Sequence, residues 1–318
     1  MSTTARRRPQ RGAALGAGGN GVVPIPLTSD QLLAEGEKGR EFIILAGKDG
    51  VGKTSALIAI ARVVAGIVDD PGQYERWVNP DAQFFILDTE NKVRTIYAKF
   101  GIHAPPNVIY YYCKDMDALL SALQDVWGRK QPGDWVAVDS MARTWEFSQD
   151  LGYEALTGLN KMEFLERRRE QASSQGKRVS GSPIPQPDNY WNIVKSAHDR
   201  HFLNEMVADS TLNVLMTTIL VRPPRETPNR QENKDRKDFR HEFGIDMGLG
   251  GAPTLPYQPE TLVLLDRTKG KVVCTVLRDN PSVWEDPSVV FGVSSFKTFG
   301  MDFYDTCRVP PLEGETEG

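Results

Sequence analysis

The feature that most constrains this chain is an eight-residue run, Gly47-Lys48-Asp49-Gly50-Val51-Gly52-Lys53-Thr54, followed at once by Ser55. It satisfies the pattern G-x-x-x-x-G-K-[ST], and its surroundings matter as much as the pattern. An apolar stretch, Phe42 to Ala46, precedes it and reads as a strand, whereas Lys53 to Val64 reads as a helix. A glycine-rich turn between a strand and a helix lets backbone N–H groups converge on an anion, and the helix adds the positive end of its dipole. In that geometry a lysine at position 53 reaches the β- and γ-phosphates of a nucleotide, and the Thr54 hydroxyl ligates Mg²⁺. ATP and Mg²⁺ are therefore the expected cofactors, because no guanine-reading N/T-K-x-D run occurs.

Such a loop needs a sheet beneath it, and the remaining apolar runs supply one. Further strands are expected at Phe84 to Leu87, Val108 to Tyr112, Trp135 to Val138, Asn213 to Met216, Thr261 to Leu265 and Lys271 to Val276. Helices are expected at Lys92 to Phe100, Met116 to Trp127, Lys161 to Gln171 and Tyr190 to Met206. Short, almost continuously apolar strands alternating with helices indicate an α/β fold with a mostly parallel central sheet flanked by helices. The last two strands read as a C-terminal β-hairpin. We divide the chain into a basic arm over residues 1–24, one nucleotide-binding α/β domain over 25–306, and a tail over 307–318. Within the domain lie a helical insertion at about 150–208 and a basic loop at about 222–253.

Two other strand ends deliver acids. Trp135 to Asp139 places a carboxylate at a carboxyl end, beside the phosphate loop, where Asp139 can hold the metal. The same residue type also serves as a loop starter or helix cap. Phe84 to Glu90 ends in Asp88 and Glu90. Hydrolysis requires a carboxylate that orients or deprotonates the attacking water, and Glu90 is the candidate, with Asp88 as backup or supporting partner. The competing reading makes the pair a cap for the helix starting at Lys92.

In the order GKDGVGKT, ILDTE, WVAVDS and Asn213 to Leu220, the chain resembles the core of RecA-like P-loop ATPases, especially small phage- and prophage-type members associated with recombination and single-strand annealing. The resemblance spans roughly residues 40–280. It implies that Glu90 is the catalytic carboxylate, that Asp139 and Ser140 form the metal-binding motif, and that Thr217 or Thr218 senses the γ-phosphate. It further implies oligomerisation, with a basic residue of a neighbouring subunit completing the site: Arg278, or alternatively Lys269 or Lys271 on the hairpin. RecA itself carries Gln where Thr217 and Thr218 stand. Lys48 gives the loop a second likeness, to the K-G-G-V-G-K-T loop of ParA/MinD-type dimeric switches, although Asp49 replaces a glycine of that motif. A nucleotide-binding scaffold that hydrolyses negligibly is a third reading.

The segment Arg222 to Arg240 holds seven basic residues against four acids and begins where a RecA-like protein places a DNA-contacting loop. Cationic loops bind phosphodiester backbones mainly by counterion release, so single-stranded DNA is the expected partner; a solvated loop that binds nothing is the alternative. The net charge of −4 argues against a uniformly basic nucleic-acid coat. Three widely spaced cysteines exclude a disulfide framework and a CxxC zinc site, and no apolar run is long enough to span a bilayer. Together these indicate a cytoplasmic protein. His198 and His201 stand three apart on an expected helix, where core packing explains them more simply than a metal.

Overall fold

The computed structural model describes residues 40–69, 71–74, 77–174, 189–209, 211–221, 248–251, 255, 259–269, 271–279, 290–293 and 299–307. The expected arm over 1–24, the basic segment Arg222 to Arg240, nearly all of the tail and most of the break at 173–187 lie outside the described residues.

In chain order the elements are β1 (Phe42–Gly47), α1 (Lys53–Val64), a 3₁₀ turn (Pro71–Tyr74), β2 (Phe84–Asp88), α2 (Lys92–Phe100), β3 (Val108–Tyr112), α3 (Met116–Arg129), β4 (Trp135–Asp139), α4 (Met141–Thr157) and α5 (Lys161–Ser174). There follow α6 (Tyr190–Lys195), a π-helical stretch (Ser196–Leu203), α7 (Asn204–Ala208), β5 (Asn213–Val221), β6 (Gly248–Leu249), β7 (Thr261–Thr268), β8 (Lys271–Asp279), β9 (Val290–Val293) and α8 (Phe299–Cys307). The strand order is β3-β2-β4-β5-β1-β7-β8-β9, with β6 paired to β5. The first six of these run parallel, and β8 and β9 add antiparallel. The chain is thus an α/β protein with a mostly parallel central sheet flanked by helices. No described helix is long and apolar enough to cross a membrane.

Strand alternation sorts the core. Ile43 and Leu45 of β1 face a cluster built with α1, Val93 of α2 and Phe299 and Phe303 of α8. Phe42, Ile44 and Ala46 face the other way, onto Met116 and Leu119 of α3, Met141 of α4 and Phe202 and Met206. Each side chain on the central strand is fully buried, contributing about 1.5–3 kcal/mol for a Leu- or Ile-sized group. Because both faces are covered, β1 reads as an unbroken apolar run.

Every strand expected from sequence is present. Two helices were not anticipated, α4 and α8. In α4 the buried positions include Thr144, Ser148 and Gly152, polar or small residues that blur the apolar period. The expected single helix Tyr190 to Met206 is interrupted by the π-helical turn, where His198 is fully buried edge-on to Trp145, with ring centroids 5.1 Å apart. His198 is therefore a core residue, with Asp199 Oδ1 3.1 Å from its Nδ1.

Candidate functional site

The carboxyl ends of β1, β2, β4 and β5 meet at one edge of the sheet. Order there depends on glycine. Gly50 and Gly52 have φ of 74° and 110°, a region that side-chain-bearing residues avoid, and a Cβ on Gly47 would lie 2.6 Å from the Leu265 carbonyl oxygen. The turn then enters α1 directly, with Lys53 and Thr54 in its first turn and Val51 buried beneath. Lys53 Nζ donates to the carbonyl oxygens of Gly47 and Lys48, each at 2.9 Å. Burial lowers its pKa, partly offset by Asp49. The side chains of Lys48 and Asp49 are exposed on the rim, and Ser55 is half-buried.

Asp139, the last residue of β4, reaches across β5 to α1. Thr54 Oγ1 donates to its Oδ2 at 2.8 Å, and Thr217 Oγ1 donates to its Oδ1. Burial pushes this carboxyl up to about 6, against the two hydroxyl hydrogen bonds and with help from the negative Asp88 and Glu90. A buried carboxylate held by hydroxyls is a reasonable cation ligand. One hydroxyl and one carboxylate suit Mg²⁺, which usually keeps several waters and takes further oxygens from substrate phosphates.

Glu90 lies at the end of β2. Ser140 Oγ donates to its Oε1 at 2.7 Å, and Lys92 forms an ion pair with its Oε2. Burial raises the Glu90 pKa, but Lys92 and Ser140 outweigh it and leave the carboxyl below its ordinary value. The ends of β2 and β4 are stitched together by Thr89, whose N–H and hydroxyl both donate to the Asp139 carbonyl oxygen, at 2.6 and 3.0 Å. Beside Glu90 opens a cleft of about 220 Å³ lined by Asp49, Glu90, Lys92, Ala142, Arg143, Glu146 and Ile219. Arg143 pairs with Glu146 there.

The structure separates the two acids of β2. Asp88 accepts from the backbone N–H groups of Glu90 and Val93, each at 2.9 Å, and from the Tyr110 hydroxyl at 3.2 Å. It caps α2 and is fully buried, so the backup role expected for it gives way to the capping role. The two threonines of β5 separate likewise. Thr217 faces Asp139, and Thr218 faces away, donating to the Gly250 carbonyl oxygen at 2.5 Å. Ser140, expected as part of a metal motif, holds Glu90.

Arg278 is not brought to this site. It pairs with Leu262 of β7, which is level with Ile44, three residues back along β1 from Gly47, and β7 stands between. Lys269 and Lys271 flank the β7–β8 turn, which projects beyond Leu265, the residue level with Gly47, and both are exposed. Sequence reasoning missed Lys92, Arg143 and Glu146. A lysine opening a helix and an Arg/Glu pair three residues apart on another look like surface charges; only their convergence on one cleft marks them. Compared with known proteins, the chain matches no family model and no curated sequence.

Proposed function

We propose that the chain is a Mg²⁺-dependent ATPase of the P-loop class, with a RecA-like arrangement, that couples nucleotide state to oligomerisation and the handling of single-stranded DNA. The observation that carries this reading is the joining of Thr54 to Asp139 at 2.8 Å, directly behind the Gly47–Thr54 turn, with Glu90 held at the next strand end. In this reading the amides of residues 48–54 and Lys53 bind phosphate oxygens, and Thr54 and Asp139 hold the metal. Mg²⁺ bound there supplies charge neutralisation for the transferring phosphoryl group. Glu90 orients the attacking water, and Thr217 keeps Asp139 aimed at Thr54.

Support for the DNA coupling comes from the roots of the basic segment. Val221 pairs with Gly248 where β5 leaves and β6 returns, so the segment between them springs from the strand that carries Thr217. Ile219 of the same strand lines the cleft beside Glu90. A completing cation would come from a neighbouring subunit, from Arg278 or from the exposed hairpin lysines, Lys269 and Lys271.

ATP hydrolysis by the purified chain, with and without single-stranded DNA across a salt series, tests the proposal. Expected is DNA-stimulated, salt-sensitive turnover that falls about 10²–10⁴-fold in Glu90→Gln and survives Lys48→Ala. Turnover indifferent to DNA and abolished by Lys48→Ala would favour a ParA/MinD-like dimeric switch. Nucleotide binding without turnover, unchanged in Glu90→Gln, would favour a scaffold.

A further inference from the structure

In the described site both carboxylate oxygens of Glu90 are occupied, Oε1 by the Ser140 hydroxyl and Oε2 by the Lys92 ammonium. A carboxylate oxygen paired with an ammonium is a weaker acceptor for an attacking water, and the Lys92 side chain stands on the approach to Oε2. Lys92 is the first residue of α2, and its side chain is 51 % exposed. An ordinary helix-surface pair would face bulk solvent. Here both members wall the cleft together with Asp49 of the phosphate loop. Lys92 is close enough to Asp139 and Asp49 for both to raise its pKa, and close enough to Lys53 to lower that lysine's.

We propose that Lys92 is the residue by which this site distinguishes a nucleoside triphosphate from a diphosphate, its ammonium exchanging Glu90 for the γ-phosphate. This rests on the nucleotide reading above and adds to it. The exchange does two things at once: it brings a second cation, beside Lys53, to the terminal phosphate, and it releases Oε2 of Glu90 for water. Charge decides the direction, because a terminal phosphate carries about two negative charges at neutral pH against one on Glu90, and a half-exposed ion pair is weakly held. The flexible four-carbon stem of lysine makes the swing inexpensive. A diphosphate ends at the phosphate held by Lys53 and the turn, presents no group in the γ position, and so leaves Lys92 on Glu90.

Equilibrium titration of the full chain with a non-hydrolysable ATP analogue and with ADP, both with Mg²⁺, tests the assignment in wild type, Lys92→Met, Lys92→Gln, Lys92→Arg and Lys53→Ala. The neutral variants are expected to bind the triphosphate on the order of ten- to a hundredfold more weakly, as loss of a charge-assisted hydrogen bond predicts, with ADP affinity within about twofold. Lys92→Arg keeps the charge and restores most of the preference. Equal weakening of both nucleotides in the neutral variants, or no weakening of either while Lys53→Ala loses both, overturns the assignment and leaves the nucleotide reading standing. A wild type that binds neither nucleotide overturns both together. Unchanged melting temperatures in the Lys92 variants establish that the loss is local.

Discussion

Asp134, which immediately precedes β4, and Asp139, which ends it, are each 2 % exposed, yet their surroundings differ. Asp134 accepts from two backbone amides, Gln83 N–H at 2.8 Å and Gln131 N–H at 2.7 Å. Main-chain donors cannot turn away, so this carboxylate is committed to tying the amino ends of β2 and β4 together. Asp139 is held by two threonine hydroxyls, which can rotate and can themselves offer oxygen to a cation. One strand thus carries a structural acid at its start and an available one at its end. Burial alone does not distinguish them; the identity of the donors does.

The largest effects expected from this comparison come from removing the carboxylates separately. Asp139→Asn should lower ATP turnover by at least about 10²–10³-fold, the scale seen when one charge-stabilising group is lost from an active site, with the protein still folded. Asp134→Ala should leave turnover per folded molecule unchanged but cost about 1–3 kcal/mol of stability, because two part-buried backbone amides lose a charged acceptor. Denaturant unfolding and steady-state turnover on the same preparations would check this. Inactive but stable Asp134→Ala protein would break the comparison.

A smaller effect is expected from pH. The Asp139 carboxyl titrates at about 6 when folded, above the 3.8 of a free aspartate. Between those values the folded state binds more protons than the unfolded one, so Asp139 makes stability fall as pH rises through this window. Above it the ionised Asp139 carries the full cost of a buried charge. The melting temperature of wild type relative to Asp139→Asn should therefore decline from about pH 4 to pH 6 and then level off. Mg²⁺ affinity should run the other way, weakening below about pH 6 as a proton competes for the carboxylate. Thr217→Val removes one hydroxyl that lowers this pKa and should move both profiles upward, with a several-fold loss of Mg²⁺ affinity near neutral pH. Unmoved profiles would remove Thr217 from the site.

Much of this was legible in the sequence, and the limits follow physical lines. The glycine turn between β1 and α1 and the strands could be read because fully buried parallel strands write themselves as unbroken apolar runs and tight turns as glycine. The place of Asp139 beside that turn could be read because strand ends in such sheets converge on one edge. The division of labour between Asp88 and Glu90, and between Thr217 and Thr218, was not legible, since it depends on which backbone amides and carbonyls lie alongside. Lys92, Arg143 and Glu146 escaped for the same reason: two helices distant in sequence, α2 and α4, bring them to one cleft. His198, within the π-helical turn, packs edge-on to Trp145, a tertiary contact that local propensity does not encode.

The central claim, that the edge built from Gly47–Thr54 and Asp139 is a Mg²⁺-nucleotide site, is tested most directly by equilibrium binding of ATP to the full chain at pH 7.5 with and without Mg²⁺, in wild type and Thr54→Val. The account predicts saturable binding that is strengthened by Mg²⁺ in wild type and loses that strengthening in Thr54→Val. No saturable binding by wild type, or an equal Mg²⁺ response in both proteins, would contradict it.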